Sequence, residues 1–153
     1  MTTTEGRLYL IALGSLERLE IQFVPATIDV ERNANYPEIA VVGRNTPQYH
    51  FTGGNESLPL KLDFFAAEEN REDVRKKCQW LKSLTYSDGF KKPPQKVKLV
   101  YGDLFKDEEW VVKSVKISYS MFSKPHGFLP QQAYVDIVLG LDPSKNLTWN
   151  DIK

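Results

Sequence analysis

The sequence predicts a mainly β (α+β) fold, a sandwich or barrel of about six or seven strands with one amphipathic helix on one side. Apolar and polar residues alternate in several separate stretches, which is the period of half-buried strands, whereas one stretch alone shows helical spacing. The 153 residues are 41% hydrophobic and 26% charged, enough for a single domain with its own core. We therefore expect one domain over residues 1–153, with a polar tail over 142–153 whose order is not predicted.

The first strands are predicted from their alternation. Residues 8–13 and 19–23 lie on either side of a Gly-Ser turn and predict an opening hairpin, which Pro25 ends. The segment from Ala26 to Thr52 predicts a long loop with a brief strand at 39–42, and loops of this length tend to be functional. The next strand has an apolar residue at every second position: Leu58, Leu60, Leu62 and Phe64.

The one convincing helix is predicted after Asn70, a candidate N-cap, with Glu72 and Asp73 placed to complement the helix dipole. Its apolar face is formed by Val74, Cys78, Leu81 and Leu84. Three strands follow, at residues 97–101, 110–122 and 133–141. In the second of these, alternation groups Val111 with Val115 and Ile117, and it places on the opposite face Val112, Ser114, Lys116, Ser118 and Ser120.

Charge and targeting signals narrow the function classes. Twenty basic residues balance twenty acidic ones, so the chain lacks the positive surplus that nonspecific nucleic-acid or membrane-surface binding needs. No apolar run approaches the roughly 20 residues of a membrane-spanning helix. The N-terminus lacks the pattern of a signal peptide. The single cysteine, Cys78, cannot form an internal disulfide, so we expect folding in a reducing compartment such as a cytoplasm.

No catalytic residue, cofactor or metal site is expected. Two histidines and one cysteine do not supply the four ligands of a structural zinc site. Gly53-Gly54 lacks the lysine of a phosphate-binding loop. Two alternatives stay open. One is a small monomeric β-sandwich that binds a carbohydrate or cell-wall ligand on Trp80, Trp110 or Trp149, and the other is a hydrolase with the acid pair Asp63 and Glu68.

Several motifs, in their order and spacing, resemble the N-terminal tube-like domain of the contractile injection system tube family, found in baseplates of contractile phage tails and related injection devices. The motifs run from Gln22 to Pro94. They are Gln22-Phe23-Val24-Pro25, in which Val24 replaces the family's asparagine, Gly43-Arg44-Asn45-Thr46-Pro47, Phe51-Thr52-Gly53-Gly54 leading into the Leu58 strand, and Asp73-Val74-Arg75 with the later Lys92-Pro93-Pro94.

The resemblance implies a fold like the tail tube subunit, with six copies in a ring whose strands join into one barrel around a lumen. It implies a virion structural protein of the tail baseplate, assembled in the bacterial host cytoplasm, that connects the spike hub to the tail tube as tube initiator or hub adaptor. Its partners would be its own copies, the tail tube protein, the spike or hub protein and other baseplate proteins. DNA would pass through the lumen without specific binding, and no membrane is involved.

Two further expectations concern the C-terminal domain of longer family members and the loop between residues 43 and 54. Longer family members carry a C-terminal LysM-type domain; because the sequence ends at Lys153, we expect none, and neither sheath contact nor cell-wall binding is carried over. The glycine-bounded loop is the candidate assembly contact between subunits or rings. Its residues are Gly43, Arg44, Asn45, Thr46, Pro47, Phe51, Thr52, Gly53 and Gly54.

Overall fold

A computed structural model describes residues 7–87, 89, 92–106, 108–142 and 147–152. Within those residues one antiparallel sheet contains seven strands, in the order β2-β1-β7-β8-β9-β6-β3, and β4 pairs separately with β5. The strands are β1 (Tyr9–Ala12), β2 (Arg18–Glu20), β3 (Glu31–Ala34), β4 (Glu38–Ile39), β5 (Gln48–Tyr49), β6 (Gly54–Phe65), β7 (Val97–Val100), β8 (Trp110–Ser123) and β9 (Leu129–Leu141). The helices are α1 (Arg71–Ser83) and the short α2 (Trp149–Ile152).

The predicted fold class is confirmed: the described chain is mainly β with one main helix. The opening hairpin forms as predicted, because β1 pairs with β2 on one side and with β7 on the other. Part of the predicted turn near Asp88 and Lys91, and residues 143–146 and 153 of the tail, lie outside the described residues.

The core lies between α1 and the long strands and extends to buried side chains of β1, β2 and β7. β9 pairs with β6 from Ser57↔Gly140 to Phe65↔Gln132, and with β8 along its whole length. The alternation predicted for β6 holds at Leu58, Leu60, Leu62 and Phe64, which are all buried. In β9 it holds from Ala133 to Leu139, and α1 packs against β9. The predicted apolar face of the helix is also buried, including Cys78. Each fully buried aliphatic or aromatic side chain contributes about 1.5–3 kcal/mol, so this layer stabilises the fold.

The alternation predicted for β8 is wrong at its start, because a β-bulge interrupts the strand at Lys113. Val112 pairs with Leu139, whereas Ser114 pairs with Val138. The extra residue reverses the order of faces. Val112 therefore packs against the core, while Val111 lies opposite Gly140 on the other face.

Two local predictions also need correction. The segment predicted as a loop contains β3, β4 and β5, and the brief strand expected at residues 39–42 is limited to Glu38–Ile39. Asn70 does precede α1, yet its side chain makes no capping hydrogen bond. A 3-10 turn over Glu68–Asn70 leads into the helix instead.

Candidate assembly surfaces

The candidate contact residues lie on a two-stranded arm, residues 31–57, that extends from the sheet. β3 pairs with the start of β6 from Glu31↔Ser57 to Ala34↔Gly54, and β4 pairs with β5 farther out. No residue from 31 to 55 is buried. Because an isolated two-stranded hairpin is at best marginally stable in water, the arm needs another surface to pack against.

The stem of the arm is held together around Asn35. Its backbone N–H donates to the Gly53 carbonyl at 2.7 Å, and its side-chain amide donates to Thr52 Oγ1 at 2.7 Å. Tyr36 and Phe51 meet edge to face with ring centroids 5.3 Å apart. Three of the candidate residues, Phe51, Thr52 and Gly53, thus fix the stem.

Gly54 closes the stem because the strands approach too closely there for a side chain. A Cβ at this position would lie 2.5 Å from the Asn33 carbonyl oxygen. Gly53 has a φ of 111°, in the region that favours glycine. The glycine pair is therefore required by backbone geometry, and no phosphate needs to be invoked.

The outer end of the arm carries the other candidates, Gly43-Arg44-Asn45-Thr46-Pro47. Gly43 adopts a φ of 87°, and the Arg44 N–H donates to the Val41 carbonyl at 3.2 Å to form the turn. Val42 beside it is fully exposed. Large apolar side chains are exposed along the whole arm, namely Tyr36, Ile39, Val41, Val42, Tyr49 and Phe51. Such a surface marks interaction sites on soluble proteins.

Two long edges of the sheet lack a partner strand among the described residues. β7 reaches β8 only at Val97↔Trp110, which leaves the edge over residues 111–123 open. β3 covers β6 only as far as Ser57, which leaves the edge over residues 58–65 open. At the end of that second edge, the Phe65 N–H donates to Gln22 Oε1 at 2.8 Å. Open edges present unpaired N–H and C=O groups that can pair with another chain.

The face of the sheet opposite α1 is polar and carries both charges. Ser114, Lys116 and Ser118 are exposed there, as predicted. In the strand register, Asp136 of β9 lies opposite Lys116 of β8 on one side and opposite Lys61 of β6 on the other. Farther along the same face, the side-chain amide of Gln132 donates to Asp63 Oδ1 at 3.2 Å. The two lysines and two aspartates balance on this face.

The described residues provide little for catalysis or metal binding. No group of three or more His, Cys, Asp or Glu side chains within them is placed to hold a metal ion. Burial raises the pKa of the Cys78 thiol to about 11, against the smaller opposing effect of its hydrogen bond with Tyr119, so it stays protonated at neutral pH. The acids Asp63 and Glu68 have separate partners, Gln132 and His126. None of the helices described is both long and apolar enough to cross a membrane.

The tryptophans do not form a shared stacking platform. Trp110 is 1% exposed and packs edge to face on Phe105. The Trp80 indole N–H donates to Glu17 Oε2 at 3.2 Å. Trp149 is exposed on α2. The structure therefore removes Trp110 from the candidate ligand-binding residues.

Comparison with known families tests the resemblance drawn from the motifs. The sequence model of a family described as contractile injection system tube protein matches residues 12–137. The chain belongs to this family. The match includes the arm, α1 and nearly all of the three long strands. It therefore covers the arm and the two open sheet edges. No curated protein matches the chain.

The family confirms the resemblance drawn from the motifs. As a tube-family chain, the protein is a tube-related structural component of a contractile injection system. Sequence reasoning located the arm residues but missed that they form paired strands, and it missed the two open edges. The signal for the edges was present in the length difference between the predicted strands at 97–101 and 110–122, since the shorter strand cannot cover the longer one.

Proposed function

We propose that this tube-family chain is a non-catalytic ring subunit in the baseplate of a contractile phage tail or a related device. In this role a hexameric ring connects the spike hub to the tail tube, as tube initiator or hub adaptor. The observation that carries the proposal is the pair of open edges, residues 111–123 of β8 and 58–65 of β6. They flank β9 on opposite sides, so one copy can offer its β8 edge to the β6 edge of the next.

Such a contact is heterologous, and heterologous contacts close into rings when the rotation between copies allows it. Closure would also remove both exposed edges, which otherwise favour aggregation. The polar face with Lys61, Lys116, Asp63 and Asp136 would then line the lumen. Its balanced charge suits the passage of DNA or another cargo without specific binding. Assembly would take place in the bacterial host cytoplasm, and the ring would become part of the virion baseplate.

The arm supplies the second part of the proposal. Its exposed apolar side chains would pack on a neighbouring subunit or ring, which explains how a two-stranded element persists outside the core. The contact residues would be those at its outer end and stem: Gly43, Arg44, Asn45, Thr46, Pro47, Phe51, Thr52, Gly53 and Gly54. The partners at this surface would be other copies, the tail tube protein, the spike or hub protein, or other baseplate proteins.

Negative-stain imaging of the purified protein and of assembled particles tests the proposal. The wild type should form rings, and a variant with Arg44→Ala and Asn45→Ala should lose rings or their incorporation into particles. Gly89→Ala is the control, because a Cβ at Gly89 meets nothing within 4 Å. Assembly that is unaffected by the arm variant, in solution and in particles, would rule out the arm contact. A monomer that binds a glycan would instead favour the binding-module alternative.

A further inference from the structure

A glutamine side chain ends the open edge of β6. The Phe65 N–H points away from β9 and donates to Gln22 Oε1 at 2.8 Å. The residue before this glutamine, Ile21, is 2% exposed, and its N–H donates to the Leu8 carbonyl at 2.8 Å. Two residues after the glutamine, Val24 packs against the core. Because the backbone is anchored on both sides, Gln22, which opens one of the family motifs, is held at the end of this edge.

The direction of each N–H along β6 follows from a few observed bonds. In an antiparallel strand, alternate residues direct their N–H groups to opposite edges. The Ala66 N–H donates to a carbonyl of β9 at 3.1 Å, whereas the Phe65 N–H donates outward to Gln22. The even-numbered residues of β6 therefore bond with β9, and the odd-numbered residues face the open edge. The same parity holds at the arm, where the Gly53 carbonyl accepts from the Asn35 N–H.

Only two outward N–H groups on this edge are available to another chain. β3 covers the edge as far as Ser57. Pro59 comes next among the odd-numbered residues, and proline has no N–H. The N–H of Phe65 is already bonded. The described strand therefore offers the N–H groups of Lys61 and Asp63, and it offers no other donor between β3 and its end.

The open edge of β8 has a matching arrangement. β6 and β8 both pair antiparallel with β9, so they run in the same direction, and a ring whose strands surround its axis brings them together as a parallel ladder. The odd-numbered residues of β9 face β6, so Asp136 faces β8 and Lys116 opposite it bonds with β9. Val115 and Ile117 consequently direct their backbone groups to the open edge, where they can accept from β6 of a neighbour.

The ends of β3 and β7 limit the register of this ladder. β3 occupies the β6 edge up to Ser57, and β7 occupies the β8 edge up to Trp110. The two free edges begin together when Lys116 of one copy lies opposite Asp63 of the other. A shift of one residue exchanges the faces, and a shift of two either drives β8 into β3 or brings β7 against β6. The bulge at Lys113 changes the count by one residue, which is less than this step.

Charge favours the same register. In it, Lys116 lies beside Asp63 of the neighbouring copy, and it also lies opposite Asp136 of its own copy. Ser114 lies beside Lys61 of the neighbour. A shift of two residues would set Lys116 opposite Lys61, and like charges directly opposite each other are destabilising. That row would also have no stagger between copies, which a closed barrel needs.

The nearby polar groups of this face act within one copy. The side-chain amide of Gln132 donates to Asp63 Oδ1 at 3.2 Å, which leaves the charge of the carboxylate in place. The Lys113 side chain extends over Gly140, with its Cε 2.5 Å from where a Cβ would stand. Lys113 is therefore directed toward β9 of its own copy, and it adds no second lysine to the contact.

We propose that Gln22 and β3 delimit the contact between copies in the ring. Between these limits, Lys61 and Asp63 donate their N–H groups to β8 of the next copy. Asp63 then lies beside Lys116 of that copy. The Gln22 side chain takes the place of the neighbour's carbonyl at Phe65, so the ladder stops there and the rest of β8 extends past β6. The inference rests on the proposed function, because it specifies one contact of the proposed ring.

Disulfide trapping in the full chain reads the register. Lys61→Cys is combined in one chain with Ser114→Cys, Lys116→Cys or Ser118→Cys. Within a copy, β9 separates the two positions by two strand spacings, about 10 Å, which is too far for a disulfide, so a cross-link must join two copies. We expect covalent oligomers from Lys61→Cys with Ser114→Cys and none from the other two pairs. The native cysteine is buried and does not compete.

Amide hydrogen exchange tests Gln22 in the free chain and in rings. In the free chain, Gln22→Leu should make the Phe65 amide exchange about fivefold faster, as for the loss of one net hydrogen bond. Gln22→Glu keeps an acceptor oxygen and should restore the slow exchange. On assembly of the wild type, the Lys61 and Asp63 amides should slow while Phe65 does not change. In Gln22→Leu the Phe65 amide should also slow on assembly, because a carbonyl of the neighbour can reach it.

The outcomes separate this inference from the ring itself. Rings that cross-link through position 116 or 118, or rings in which the Lys61 and Asp63 amides stay unprotected, would overturn the inference and leave the proposed ring standing. Unchanged Phe65 exchange in free Gln22→Leu would overturn the role of Gln22. A wild-type chain that forms neither rings in negative stain nor the cross-link through position 114 would overturn both proposals.

Discussion

Replacing Gly54 with alanine should open the arm without unfolding the core. The added Cβ would lie 2.5 Å from the Asn33 carbonyl oxygen and 3.3 Å from the Ala34 Cα. Heavy atoms in contact stand near 3.5 Å, so β3 must move by about 1 Å. The obstructing atoms belong to backbone, which cannot rotate away as a flexible side chain can.

The magnitude follows from the cost of inserting one methyl group into a close contact, about 1–3 kcal/mol. A cost of about 2 kcal/mol raises the equilibrium constant for opening the stem roughly 30-fold. The effect should stay local, because no residue from 31 to 55 is buried in the core. The Asn35 N–H, which donates to the Gly53 carbonyl at 2.7 Å, reports this opening directly.

Amide hydrogen exchange measured residue by residue is the assay. Exchange of the Asn35 amide should accelerate about 30-fold in Gly54→Ala, while amides of β9 keep their wild-type rates. Gly89→Ala is the control, since its Cβ meets nothing within 4 Å. Unchanged Asn35 exchange would refute the close-packed stem, and a matching acceleration across β9 would refute the independence of arm and core.

Three further outcomes are expected. Arg71→Met removes the donor to the carbonyls of Met121 and Leu129, so the free energy of unfolding should fall by about 2 kcal/mol and Tm by roughly 4–8 °C. A Tm within about 1 °C of wild type would contradict the role of this buried guanidinium. The raised pKa of Cys78 means that the unfolded chain loses the thiol proton near pH 9 while the folded chain keeps it to about pH 11. The free energy of unfolding from urea titrations should therefore fall as pH rises through this window, by up to about 3 kcal/mol relative to Cys78→Ala. If wild type and Cys78→Ala show the same dependence on pH, the raised pKa of Cys78 is excluded. Gly140→Ala should lower the free energy of unfolding by less than about 0.5 kcal/mol, because its Cβ would meet the Lys113 side chain, which can rotate away. A loss of about 1–3 kcal/mol, as for a clash with backbone, would show that Lys113 is held in place.

The elements predicted well from the sequence are those with one buried face. β6 and β9 show strict alternation because their alternate side chains are buried under α1, and α1 itself has an apolar stripe for the same reason. The bulge at Lys113 was not predictable by alternation, since an inserted residue reverses the faces without any change in composition.

The arm was missed as paired structure because burial leaves no pattern where neither face is buried. Glu31–Ala34 is exposed at every position, so its sequence carries no alternation, although it pairs with β6 at each residue. Its candidate contact residues were chosen from motif resemblance and glycine content, and their role in assembly stays a prediction. The pocket between Phe51 of the arm, Leu141 of β9 and Trp149 of α2 could not be predicted, because these residues are far apart in the chain.

The central claim is that copies join through the open edges of β8 and β6 into a ring. Cryo-electron microscopy of the purified full chain tests it most directly. The proposed assembly predicts a closed ring in which residues 111–123 of one copy pair with residues 58–65 of the next, and the face with Lys61 and Lys116 lines the lumen. A monomer, or a ring closed through other surfaces with both edges still exposed, would contradict it.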